Sequence, residues 1–343
     1  MGASASHLYL DTLPWSEPRV CVIGDVMVDA YMWGHIHRIS PEAPVPVVEV
    51  ARREQRVGGA GNVVKNLAAL GAHVHVISVV GDDQAGRDLT GLLATMGTPH
   101  LTVDASRPTT VKTRVISSGH HVVRVDEESI EDVSKSVSNQ ALSALHTLLS
   151  GADCPDVVVL EDYDKGMMTA AFISDVLDAC SKASVPVAVD PKLRHFEAYK
   201  NVALFKPNLK ELNEGLGLTH PVDPNHKEDM ARAVEALMER LRCERVFVTL
   251  GEHGAWIHAP SEGISHTHLP AFPRDVVDVS GAGDTVISVA ALMLASGAPA
   301  NTLAALANLA GGWVCERVGV VPISKDDLES ELQRVNQLHT SRP

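Results

Sequence analysis

Five short runs of apolar, mostly β-branched residues recur along the chain, at 20–23, 73–80, 156–160, 185–189 and 245–249. Segments between them, such as 62–70, 169–183 and 227–241, carry helical spacing. A strand that is apolar at nearly every position has to be covered on both faces, which is the situation of a parallel strand with helices above and below. The pattern predicts an α/β fold, doubly wound around a mostly parallel sheet. Two segments break it. Residues 44–50 read as a strand outside the alternation, and 109–125 alternate in polarity around the turn signal Ser118-Gly119, as antiparallel ribbons with one wet face do. Too short to form a domain of their own, they predict a small β-sheet lid. With 343 residues, no repeat and no Pro/Gly/Ser-rich linker, the simplest organisation is one domain over 19–330. Its lid segments fall at about 31–57 and 105–126, with a flexible N-terminus over 1–18 and a C-terminal tail over 331–343.

Charge and composition narrow the function classes. Lys and Arg number 29 against 43 Asp and Glu, a net charge of −14 that repels a polyphosphate backbone, so nucleic acid is not an expected partner. The longest mostly apolar stretch, 286–295, is about half of the roughly 20 residues a membrane helix needs. Five scattered cysteines without a CxxC pair argue against a disulfide framework or a zinc site and fit a reducing, cytoplasmic setting. Met1-Gly2 with Ser6 matches the myristoylation pattern MGxxxS, which an Ala/Ser-rich terminus also produces by chance. The 17 histidines include His35/His37, His73/His75, His120/His121 and His266/His268, but no HExxH and no cluster that completes a transition-metal site.

The chemistry concentrates in Asp278-Val279-Ser280-Gly281-Ala282-Gly283-Asp284-Thr285, which runs into the apolar helical stretch 286–295. Glycines at a helix start leave backbone N–H groups free, let a ligand approach closely and add the positive end of the helix dipole. Asp284 beside such an anion hole has a natural task as general base, taking a proton from an attacking hydroxyl. The plainer reading is a helix N-terminus with Gly for tight packing and Asp matched to the dipole. No Gly-Lys dipeptide and no GxGxxG after a strand occur, which excludes a Walker A loop and a dinucleotide fingerprint. Asp25 and Asp29 follow the first strand, and Gly58-Gly59-Ala60-Gly61-Asn62 opens a helix. Carboxylates and an amide at the carboxyl edge of such a sheet suit sugar hydroxyls, while the glycines alone also read as a turn.

The segments 58–62 and 278–284 together resemble the two signatures of the ribokinase or PfkB family of sugar kinases, in the expected order and about 220 residues apart. The resemblance runs from about Val20 to Pro322. Within the family, Gly24-Asp25-Val26-Met27-Val28-Asp29, residues 38–48 (RISPEAPVPVV), Asp162-Tyr163-Asp164-Lys165-Gly166 and Asp190-Pro191-Lys192 are similar to the heptose 7-phosphate kinases of ADP-heptose biosynthesis. That group phosphorylates D-glycero-β-D-manno-heptose 7-phosphate at the anomeric oxygen with ATP and Mg²⁺. Many of its members carry a fused nucleotidyltransferase. With about twenty residues after Pro322 and no HxGH, a stand-alone kinase is expected here. One position departs from the pattern: Asp164 stands where the group usually has Gly, and a carboxylate there bears on Lys165 as a phosphate ligand.

The resemblance implies in-line transfer, with Asp284 as base and the N–H groups of Ala282, Gly283 and Asp284, behind Gly281, as the anion hole. Asn208 and Glu211 resemble the family's NxxE motif, which organises Mg²⁺ and its waters; the same pair also spells a capping box. Asp25, Asp29, Gly58, Gly59 and Asn62 are expected at the acceptor hydroxyls, with Asp190 a weaker member. The acceptor phosphate needs cations, drawn from Lys112, Arg114, Arg124, Arg38, Lys165 and Lys192, of which two or three should converge. Thr249, Gly251, Gly254 and Asn308 are expected on the ATP side. A homodimer through the lid is expected, because an alternating ribbon needs a surface to cover one face. The alternatives are a kinase of another sugar, sugar phosphate or nucleoside, and a non-catalytic sugar or nucleotide sensor.

Overall fold

The computed structural model describes residues 12–272 and 274–340, the last three of them by backbone alone. The chain lays down β1 (Arg19–Gly24), the lid strands β2 (Val26–Ile39) and β3 (Pro46–Gly59), then α1 (Ala60–Ala69), β4 (His73–Val80), α2 (Gln84–Ala94) and β5 (Thr98–Val103). The lid resumes with β6 (Val111–Ser117) and β7 (His120–Glu127). Next come α3 (Lys135–Ser150), β8 (Val157–Glu161), α4 (Ala170–Lys182), β9 (Val187–Asp190), β10 (Leu204–Phe205), α5 (Leu209–Gly215), α6 (Lys227–Leu241), β11 (Val246–Thr249), β12 (Ala255–Ala259) and β13 (Ile264–Leu269). Three helices close the chain: α7 (Ala282–Ala295), α8 (Ala300–Cys315) and α9 (Lys325–Thr340).

The core sheet has the order β13-β12-β11-β10-β9-β8-β1-β4-β5, parallel from β5 to β11, with β12 and β13 added antiparallel at one edge. Alternation along β1 shows why both faces are apolar. Val20 and Val22 pack with α1, α2, α7, α8 and α9, while Cys21 and Ile23 point the other way, toward α3, α4 and α6. The five expected strands are all present. That over 185–189 begins two residues late because Val185 N–H closes α4 on Cys180 O (3.0 Å) and Pro186 follows. Capping side chains set the helix starts, Asp83 on Gly86 N–H (2.8 Å) and Thr169 on Phe172 N–H (3.2 Å) among them.

The lid is a four-stranded sheet of order β3-β2-β6-β7. The two antiparallel ribbons, β2/β3 and β6/β7, join edge to edge through a parallel β2–β6 pair. Its first strand starts at Val26 rather than near 31, since only Asp25 separates it from β1.

Both expected termini need correction within the described residues. Leu13 and Trp15 are buried, and Trp15 Nε1 donates to Leu70 O (3.1 Å), so these two side chains anchor the 12–18 segment to the core. The expectations for 1–11, the myristoylation pattern included, lie outside the described residues. At the other end Leu332 and Val335 of α9 are buried in the core, so the domain continues past 330. Among the described residues, no helix is long and apolar enough to cross a membrane.

Candidate active site

The carboxyl ends of the central strands gather the polar residues. The register pairs Gly24 with Glu161 and Glu161 with Asp190, so the ends of β1, β8 and β9 lie side by side, and Lys206 follows β10. Lys206 Nζ and Asp190 Oδ2 form a buried ion pair at 2.8 Å. Glu161 beside them is 1% exposed, and its Oε2 has no partner among the described residues. Burial first, then the charges of Asp190 and Asp284, push the Glu161 carboxyl well above its usual range.

Asp284 faces this group from the first turn of α7. Gly281 caps that helix at φ +78°, in the left-handed region, where a Cβ would also come within 2.8 Å of Val320. Tyr163 OH donates to Asp284 Oδ1 (2.9 Å), and the buried Asn62 side chain lies close enough to favour the ionised form of the same carboxylate. Burial raises the Asp284 carboxyl to about 6; Asp190 pushes the same way, and Tyr163, Asn62 and Lys206 restrain the rise. The expected anion hole is smaller than three groups. Ala282 N–H donates to Val279 O (3.2 Å), which leaves the N–H groups of Gly283 and Asp284, free of intrahelical partners in the first turn. Gly283 stands next to the Asp190–Lys206 pair.

At the acceptor end, Gly59 takes φ +56° as the cap of α1, and a Cβ there would lie 2.3 Å from Asp25 O. A Cβ on Gly58 would lie 2.5 Å from Asp29 Oδ2. The Asp25 carboxylate already accepts from the N–H groups of Tyr163 (3.0 Å), Lys165 (3.1 Å) and Met167 (3.3 Å), so it holds the 163–167 loop. Asp29 is paired with Arg114 across the lid. Asn62, expected at a hydroxyl, turns to Asp284, and Asp190 turns to Lys206.

Five of the six expected cations have a carboxylate partner, Arg114 on Asp29 among them. Lys112 lies 3.1 Å and Lys165 3.0 Å from Glu128, Lys192 lies 2.9 Å from Glu211, and Arg124 lies 2.9 Å from Asp126. Lys112 and Lys165 converge. Arg124, 57% exposed, stays at the lid surface, and Arg38 sits on an exposed stretch of β2. Asp164 adopts φ +54°, the left-handed conformation that favours Gly and that Asp tolerates. Its charge acts on Asp162 and Tyr199.

Asn208 and Glu211 form a capping box on α5, each accepting from the other's backbone N–H at 2.9 Å, and Glu211 Oε1 also accepts from Lys192. Asn208 bridges Thr249 across the sheet, which sets the NxxE pair beside the turn carrying Gly251 and Gly254. Asn308 on α8 donates to Pro270 O (3.0 Å) and so holds the loop after β13.

Tyr163, Glu161 and Lys206 were not among the expected residues. Glu161 carries the signal used for Asp25, a carboxylate ending an apolar strand. Lys206 is the cation after the apolar 202–205 run, and Tyr163 offers no separate signal.

A helix-capped carboxylate with two free N–H groups, facing a buried Lys and a row of strand-end carboxylates, can deprotonate a hydroxyl and receive an anionic group. The profile of the pfkB family carbohydrate kinases matches residues 17–327. The chain is 41% identical over 325 residues to the bifunctional protein HldE of Desulfatibacillum aliphaticivorans, covering 94% of this chain and 65% of that protein. It is 43% identical over 311 residues to the bifunctional protein HldE of Caulobacter vibrioides, covering 90% and 62%. It therefore spans less than two thirds of either relative. In fold it is similar to phosphofructokinase-2 of Escherichia coli in complex with fructose-6-phosphate, with a TM-score of 0.73, 20% identity and coverage of 92% and 99%. Ribokinase of Arabidopsis thaliana complexed with ribose and ATP gives 0.68, 19%, and 93% and 99%. With a family match across nearly the whole chain and the same ribokinase-like fold beneath it, this chain belongs to the PfkB family of carbohydrate kinases.

Proposed function

We propose that the protein transfers the γ-phosphoryl group of ATP to the anomeric hydroxyl of D-glycero-β-D-manno-heptose 7-phosphate, giving the 1,7-bisphosphate. The observation that carries the acceptor is the convergence of Lys112 and Lys165, two cations from lid and core, next to Asp29 and the Asp25-bound loop. Identity of about 40% to the HldE proteins supports the same reading. It concerns the kinase activity alone.

Asp284 takes the proton from the anomeric oxygen as that oxygen attacks, and the N–H groups of Gly283 and Asp284 steady charge on the group in transfer. Thr249, Gly251, Gly254 and Asn308 border the nucleotide. Among the described residues no cluster of three or more acidic, His or Cys side chains is arranged to ligate a metal directly, so Mg²⁺ fits here only through its waters, with Glu161 Oε2 an unpartnered acceptor nearby. Asn208 and Glu211 would hold the ion through its waters, since both Glu211 oxygens already accept hydrogen bonds. When bound it neutralises phosphate charge.

Coupled ATP turnover against sugars with and without a terminal phosphate tests the acceptor. Heptose 7-phosphate should be preferred over heptose by at least about a hundredfold in kcat/KM, since two charge-assisted contacts are at stake. Turnover of unphosphorylated sugars or nucleosides alone would assign another substrate.

Asp284 must be ionised to act, so kcat should fall as pH drops through about 6. Tyr163→Phe removes a hydrogen bond that favours the carboxylate, and the acid limb should move to higher pH. The acceptor is unchanged between the two enzymes, so an unmoved limb would mean that a group other than Asp284 titrates.

We also propose a dimer through the lid, whose Val123 and Val125 are 49% and 48% exposed on one face. Light scattering at micromolar concentration should give twice 36.6 kDa, and a monomer would count against it.

A further inference from the structure

Lid and core each lend one lysine to the acceptor end, and one carboxylate holds both. Glu128 follows β7. Its Oε2 accepts from Lys112 Nζ on β6 (3.1 Å), and its Oε1 accepts from Lys165 Nζ in the core loop (3.0 Å). The backbone on both sides is pinned. Arg107 donates to the carbonyls of Ser129 (2.9 Å) and Lys165, and Val133 N–H donates to Gly166 O (3.0 Å). A Cβ on Gly166 would lie 1.9 Å from Glu131 O, so the backbones of the two segments touch.

The three side chains are neither free on the surface nor sealed, at 18% exposed for Lys112, 15% for Lys165 and 24% for Glu128. Burial pushes the Glu128 carboxyl up, but hydrogen bonds from Lys165 and Lys112 outweigh it and hold the group below its usual range. It is therefore ionised wherever the enzyme works. Each ammonium has three donors. Lys165 gives one to Glu128; Lys112 gives one to Glu128 and lies 3.5 Å from Asp126, so donors remain on both for an anion.

We propose that Glu128 is a positioning residue that gathers Lys112 and Lys165 into one anion clamp and thereby sets the preference for a phosphorylated over an unphosphorylated acceptor. The inference rests on the reading of the acceptor as a sugar phosphate. Glu128 itself does not touch the substrate. Without its carboxylate the two long side chains lose their common anchor and present single, wandering charges.

Steady-state kinetics of Glu128→Gln on heptose 7-phosphate and on heptose, at saturating ATP, test this. KM for heptose 7-phosphate should rise about tenfold with kcat changed less than about twofold, while KM for heptose moves less than about twofold. Glu128→Asp keeps a carboxylate and should recover part of the loss, and Lys165→Met should reproduce the shift. Inorganic phosphate should lose potency as a competitive inhibitor in the Gln variant to a similar degree. An unchanged or lowered KM in Glu128→Gln, or equal shifts for both acceptors, would overturn the role of Glu128 and leave the acceptor reading standing. A wild-type enzyme without preference for the 7-phosphate would overturn the acceptor reading itself.

Discussion

Asp284→Asn is expected to lower kcat about a thousandfold while ATP and acceptor bind with dissociation constants within about threefold of wild type. Asn matches the shape of Asp, and its Oδ1 can still accept from Tyr163 OH, so the first turn of α7 keeps its place. What disappears is the group that removes the proton. The variant should also be more stable than wild type, because it takes one of three crowded carboxylates, with Asp190 and Glu161, out of a buried site. Loss of turnover with raised stability separates a missing base from a damaged fold. A loss under tenfold would mean that the proton leaves by another route.

Lys206→Met is expected to destabilise the protein by about 3–5 kcal/mol, the range for removing one partner of a buried ion pair. Lys206 and Asp190 are 2.8 Å apart with side chains only 3% and 8% exposed. Without the ammonium, Asp190 faces Glu161 and Asp284 uncompensated. Glu161 and Asp284, raised by burial, lose the cation that restrains them, so the destabilisation is fullest at high pH and eases as pH falls through their raised values. Urea unfolding should show a larger loss at pH 8 than at pH 6, and Lys206→Met/Asp190→Asn should recover much of it. A loss below about 1 kcal/mol would mean that water reaches the pair, as it does at exposed ion pairs.

The fold was legible where residues report their burial locally. Val20, Cys21, Val22 and Ile23 are all fully buried, and an unbroken apolar run says as much. β10 has two residues, and β13 reads Ile-Ser-His-Thr-His-Leu, so neither carries a strand signal strong enough to separate it from a loop. The place of Asp284 in the first turn of a helix was legible because glycines, helix and carboxylate are contiguous. Partners across the fold were not. Asp25 binds backbone N–H groups 138 to 142 residues away, and only the β1–β8 pairing brings them together. Lys206 resembles a surface lysine until Asp190 is seen beside it through the β9–β10 register. For the same reason the sequence could nominate the lid cations but not Glu128, which decides how two of them meet.

The most direct test of the account is ³¹P NMR of the product formed by wild-type enzyme, ATP, Mg²⁺ and D-glycero-β-D-manno-heptose 7-phosphate. A new anomeric phosphate signal is expected beside the retained 7-phosphate, absent when Asp284→Asn replaces wild type at equal concentration and time. Phosphate on another carbon, ATP turnover without a phosphorylated sugar, or the same signal formed at a similar rate by the Asn variant would contradict it.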